Sequence, residues 1–150
     1  MNLSEIPIRV EPNLAEEGLG GGVKALLHEV LTMLERLVST GTEGAVDLRS
    51  LPMTPDDWQG LYAALGEGGV DAVFESNGRS RVRETAVPGV WWIEHRDADD
   101  NVVASFLEVT TVPPLLTTDL VDVRAGIPRL RAMLTQAGAQ APFHGGQYDG

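Results

Sequence analysis

The chain has 150 residues, 43% of them hydrophobic, and its 22 acidic against 11 basic side chains give a formal net charge of −11. That length supports one domain with a real core, while the charge repels a phosphate backbone or an anionic membrane, so neither nucleic acid nor a membrane is an expected partner. The lack of cysteine excludes disulfides, thiolate nucleophiles and cysteine-held zinc or iron–sulfur clusters.

Residues 1–22 mix Pro7, Pro12 and carboxylates without periodicity and read as a mobile arm ending in the break Gly20-Gly21-Gly22. From Val23, the apolar positions Leu26, Leu27, Val30, Met33, Leu34, Leu37 and Val38 recur at helical spacing, and Gly41 supplies the stop. Residues 45–49 read as a short strand. Thr54-Pro55-Asp56-Asp57 predicts a helix start: a hydroxyl cap, proline where no amide hydrogen is needed, and carboxylates at the positive end of the dipole. That helix runs to Leu65 with Trp58, Leu61, Tyr62 and Leu65 on one face.

After Val70 the period changes to two, and residues 70–75, 80–87, 90–96 and 102–109 read as strands. Asn77-Gly78 is a hairpin signal because both types tolerate positive φ, Asp97–Asn101 marks a second turn, and Pro88-Gly89 a third. Short links force antiparallel neighbours and hence a meander. Beyond Pro113-Pro114 a last helix is capped by Thr117, Thr118 or Asp119 and has Leu120, Val123, Ile127, Leu130, Met133 or Leu134 and Ala137 as its inner stripe; Pro128 predicts a kink or break near Ile127. Residues 138–150 read as a frayed tail. The expectation is α+β: a single domain over 23–137 with an antiparallel meander of four to five strands and about three helices.

The segment Arg83-Glu84-Thr85-Ala86-Val87-Pro88-Gly89-Val90-Trp91-Trp92 suits recognition better than chemistry. Alternation sends Trp91 and Trp92 to opposite faces, so one of them points away from a core on either face. Beside arginine and glutamate it would anchor a peptide or protein; the plainer alternative is that another element covers it. Glu84 shares a face with Val82 and Ala86 and is expected to pair with an arginine, such as Arg96.

Other motifs are weaker. Asp97, Asp99, Asn101 and Glu108 imitate a calcium loop, but Val102 stands where the sharp turn needs glycine. His28, His95 and His144 have no ligand-spaced neighbours, and no phosphate loop, nucleophile elbow or dinucleotide fingerprint is present. No cofactor and no metal are expected. No segment pairs a basic start with an apolar run or reaches membrane-spanning length, which makes a cytoplasmic location the expectation.

Leu51-Pro52-Met53-Thr54-Pro55, Arg83 to Trp91, Glu108-Val109 and Pro113 together resemble the C-terminal conserved region of the HupH/HyaF family of hydrogenase expression/formation proteins, over roughly residues 45–137. Longer members carry a substantial N-terminal part. The resemblance implies a chaperone without turnover for an uptake [NiFe]-hydrogenase, handling the iron–sulfur small-subunit precursor, with its twin-arginine leader a possible contact, before export. Other hydrogenase accessory proteins are further expected partners, and a homodimer is open. The expected partner-binding residues are Arg83, Glu84, Thr85, Trp91 and Trp92, with none catalytic. The competing reading is a small-molecule or enzymatic pocket where Glu84, His95 and Arg83 converge.

Overall fold

The computed structural model describes residues 19–75 and 77–140. Its elements run α1 (Gly21–Thr40), β1 (Gly44–Asp47), a 3-10 turn (Leu48–Ser50), α2 (Pro55–Leu65), β2 (Asp71–Glu75), β3 (Arg79–Glu84), β4 (Val90–Arg96), β5 (Val102–Val109), a second 3-10 turn (Pro114–Leu116) and α3 (Leu120–Gln140). The strands form one antiparallel sheet in the order β1-β5-β4-β3-β2. This is the expected α+β class: β2 to β5 make the meander and β1 returns to pair with β5. One compact unit extends to Pro114 and a second begins at Leu115.

Register assigns the faces. Arg83 lies opposite Trp92 and Trp92 opposite Leu107, while Glu84 lies opposite Trp91 and Trp91 opposite Glu108. On the first face Val46, Val90, Trp92, Leu107 and Val109 meet Val23, Leu26 and Val30 of α1 and Leu61 and Leu65 of α2. Leu48, Leu61, Leu107, Val90 and Val109 have no exposed surface; each such side chain contributes about 1.5–3 kcal/mol by leaving water. Val82, Trp91 and Ile93 on the opposite face are buried as well.

The sequence signals for α2 hold at atomic detail. Thr54 Oγ1 accepts from the Asp57 amide and the Asp57 carboxylate accepts from the Thr54 amide, a reciprocal capping box with Pro55 at the first helical position. Gly41, at φ 72°, closes α1 with its amide on the Leu37 carbonyl. Asn77 and Gly78 both have positive φ, but the paired residues Glu75 and Arg79 enclose three residues, one more than a type I′ turn has. A Cβ on Gly78 would run into the Arg96 carbonyl oxygen.

Several boundaries differ from expectation: the strand expected over 80–87 is Arg79–Glu84, and the one expected over 45–49 is Gly44–Asp47, followed by the 3-10 turn. Gly21 and Gly22 belong to α1, whose twenty residues outweigh the modest cost of two glycines in its first turn. Residues 1–18 of the expected arm, and 141–150 of the expected tail, lie outside the described residues. In the last helix Pro128 breaks nothing: α3 is assigned continuously over 21 residues, one missing amide donor being tolerated by the turns on either side. Asp119 is the cap, its Oδ1 accepting from the Val121 amide. The residues expected to form an inner stripe are exposed, from Leu120 at 67% to Val123 at 46%.

Candidate functional site

The end of β3 is laced to the loop after α2. Glu84 donates its amide to the Val70 carbonyl and accepts at its own carbonyl from Gly68; its side-chain Oε2 takes the Gly69 amide at 3.0 Å. Among the described residues no arginine pairs with this carboxylate, and Arg96 is taken by Glu94 and Asp100 instead. Gly68 is required by this closeness, since a Cβ there would stand 2.5 Å from the Thr85 carbonyl oxygen. Thr85 is 3% exposed, and its hydroxyl bridges the carbonyls of Val87 and Val90 across the Pro88-Gly89 turn. Thr85 therefore holds the turn that launches β4.

Arg83 sits on the face toward α2. Its Nη2 donates to the Tyr62 hydroxyl at 2.7 Å and its guanidinium carbon lies 5.1 Å from the centre of that ring, within cation–π range. Tyr62 in turn stacks on Trp92 with centroids 4.1 Å apart and planes 22° off parallel, and Trp58 leans on Trp92 from 6.0 Å. The result is a column of arginine, tyrosine and tryptophan standing on the sheet.

A cavity of about 490 Å³ opens beside this column, lined by Arg83, Glu84, Thr85, Trp92, Tyr62 and Gln59 among others. A second, of about 500 Å³, lies beyond Tyr62 and is lined by Leu51, Met53, Trp58, Arg49, Glu94 and Ser105 among others. Tyr62 borders both. Two of the four segments singled out for their resemblance, Leu51–Pro55 and the one from Arg83, thus line adjoining hollows. Two buried polar atoms in this region have no partner among the described residues, Trp92 Nε1 and Ser105 Oγ. Leaving such a group unmatched costs about 1–3 kcal/mol.

Four of the five expected site residues, Arg83, Glu84, Thr85 and Trp92, come together at the first cavity. Trp91 does not: it projects to the opposite face, where its indole Nε1 donates to the Thr110 carbonyl at 3.0 Å. Neither tryptophan is an exposed anchor, at 6% for Trp91 and 3% for Trp92. Each is covered, Trp92 by the aromatic side chains of α2. His95 also faces away, with its Nδ1 2.7 Å from Ser80 Oγ, so Glu84, His95 and Arg83 do not converge.

The calcium-like turn uses its own ligand atoms. Asp97 Oδ1 accepts from the amides of Asp99 and Asn101 at 2.9 Å each, and these bonds, the Asn101 amide foremost, hold its carboxyl below the usual range. On the neighbouring surface Arg81 grips Asp71 through two bonds of 2.8 and 2.6 Å, which likewise lowers the Asp71 carboxyl, and Arg96 Nε meets Glu94 at 2.7 Å. Among the described residues no cluster of His, Asp or Glu has metal-holding geometry, and no helix is long and apolar enough to cross a membrane.

Sequence reasoning missed Tyr62 and Ser105 as wall residues. Tyr62 looked like one more member of an apolar stripe, and only its reach across to β3 gives it a second role.

The family model for the HupH hydrogenase expression protein, C-terminal conserved region, matches residues 22–137. The chain belongs to this family. Curated relatives include hydrogenase expression/formation proteins HoxQ from Azotobacter vinelandii, 34% identical over 90 residues, and HupH from Rhodobacter capsulatus, 31% identical over 94 residues. These matches take in 60% and 63% of this chain but only 32% and 34% of those proteins, so the chain spans about a third of the length of the relatives it matches. Hydrogenase expression protein HupH from Thiobacillus denitrificans is a solved structure with a TM-score of 0.74 and 39% identity, covering 78% of this chain and 98% of that one. The HupH domain thus brings the capped α2 and the Arg83–Trp92 segment to one side of its sheet.

Proposed function

We propose that this HupH-family chain is a non-catalytic accessory protein of [NiFe]-hydrogenase maturation that holds a segment of a hydrogenase precursor, the iron–sulfur small subunit first, across the two hollows flanking Tyr62. The single observation that carries this reading is that two of the segments resembling the family, Leu51–Pro55 and the one that begins at Arg83, line those adjoining hollows. The arrangement suits an extended peptide: apolar walls take side chains, and Arg83 and Gln59 at the rim meet main-chain groups.

The net charge of −11 favours a basic client and speeds its approach. A twin-arginine leader has that character. Nothing in the arrangement offers a nucleophile paired with a base, which favours holding over turnover. A cytoplasmic site of action follows from this reading, because a precursor is met before export.

The test is calorimetric binding to the small-subunit precursor with and without its leader, with the large subunit as control. Binding that weakens at least tenfold in Arg83→Ala and Tyr62→Ala, both still folded, supports the proposal. Equal binding by the variants, or none to any subunit, overturns it.

A further inference from the structure

α3 carries an ordered surface that the proposed client site does not use. Leu120, Val123, Ile127, Leu130, Leu134 and Ala137 follow one another at spacings of three, four, three, four and three, the a and d positions of a heptad repeat. All six are exposed in the described structure, with Ile127 at 47% and Leu130 at 59%. Pro128 and Gly126 fall off this seam, at b and g, so neither interrupts the run of apolar side chains along it. α3 spans 21 residues, about 31 Å, and most helical stability in proteins comes from packing an amphipathic face. The family match runs to residue 137, the last position of the seam, so the seam belongs to the domain.

We propose that α3 pairs with α3 of a second copy of this chain as a parallel two-stranded coiled coil. The seam is self-complementary: a twofold axis sets each a or d residue against its own copy, and no polar side chain would be trapped between the helices. Charge selects the direction. In a parallel pair the g position of one helix faces the following e position of the other, which brings Asp119 to Arg124 of the second copy and the reverse. In an antiparallel pair centred on Ile127 and Leu130, Arg124 would instead approach Arg131 of the second copy, two like charges.

The experiment is sedimentation equilibrium of the full chain across a concentration series, with Ile127→Asp/Leu130→Asp and Arg124→Glu alongside. Trp58, Trp91 and Trp92 all lie outside α3, so their fluorescence reports separately that the sheet unit remains folded. The expected result is a dimer that dissociates on dilution, is lost in the double variant with unchanged tryptophan fluorescence, and dissociates at several-fold higher concentration in Arg124→Glu. A monomer up to the highest soluble concentration, or a dimer indifferent to the double variant, overturns pairing through α3. A tighter dimer in Arg124→Glu overturns the parallel arrangement. None of these outcomes depends on a hydrogenase client.

Discussion

Trp91 and Trp92 are neighbours in sequence and opposites in use. Trp91 lies between Glu84 and Glu108 in register, and its indole N–H is spent on the Thr110 carbonyl at 3.0 Å. Trp92 lies between Arg83 and Leu107, is stacked by Tyr62, walls a cavity and leaves its N–H without a partner among the described residues. The strand's period of two makes this division: one aromatic closes the sheet's far face, the other packs beneath Tyr62 and walls the first cavity. Equal burial thus conceals unequal commitment, and hydrogen bonding distinguishes the structural tryptophan from the one with capacity to spare.

The largest expected effect comes from deleting the committed side chain. Trp91→Ala should lower unfolding free energy by about 3–5 kcal/mol in urea titrations, through lost burial and a stranded Thr110 carbonyl. A gentler pair separates these two contributions. Trp91→Phe leaves that carbonyl unmatched, whereas Trp92→Phe removes a donor that had no partner, so the first should be more destabilising by about 1–3 kcal/mol. Equal losses would mean that packing alone governs both positions.

Glu108 tests the far face through pH. Burial first, and Glu43 second, raise its carboxyl above the usual range; Glu43 itself accepts from the Thr110 hydroxyl at 2.9 Å. A raised value means that the folded chain binds this proton more tightly than the unfolded one. The contribution to stability is therefore complete below the ordinary carboxyl pKa and is lost as pH rises through the raised one. Glu108→Gln should leave acid stability nearly unchanged and raise the urea midpoint at neutral pH. The smallest expected stability effect is that of Arg83→Ala on the cavity side, about 1 kcal/mol or less in the same titration, since its contacts with Tyr62 are at the surface.

Much of the fold was legible in the sequence. Thr54 and Pro55 announced α2, Asn77-Gly78 the hairpin, and the alternation from Val70 the meander, because each is a local device whose residues act within a few positions. The site was legible only in part. Arg83, Glu84 and Thr85 were expected as one contact group, yet Thr85 secures the turn just after it, and Glu84 holds the amide of Gly69, fifteen residues upstream. Tyr62 reaches Arg83 and Trp92 only after α2 has been laid across β3 and β4, a long-range placement that helical periodicity does not encode. Pro128 was read as a kink or a break, and the break does not occur because the helix continues for 21 residues around it.

The central claim is that the hydrogenase client lies across the hollows on either side of Tyr62. Hydrogen exchange of the full chain, alone and with the small-subunit precursor, tests it directly. The account predicts slowed exchange over residues 48–69 and 82–92 on adding the precursor, with β1 unaffected. Protection confined to β1 or α3, with those two segments unchanged in a complex that does form, would contradict it.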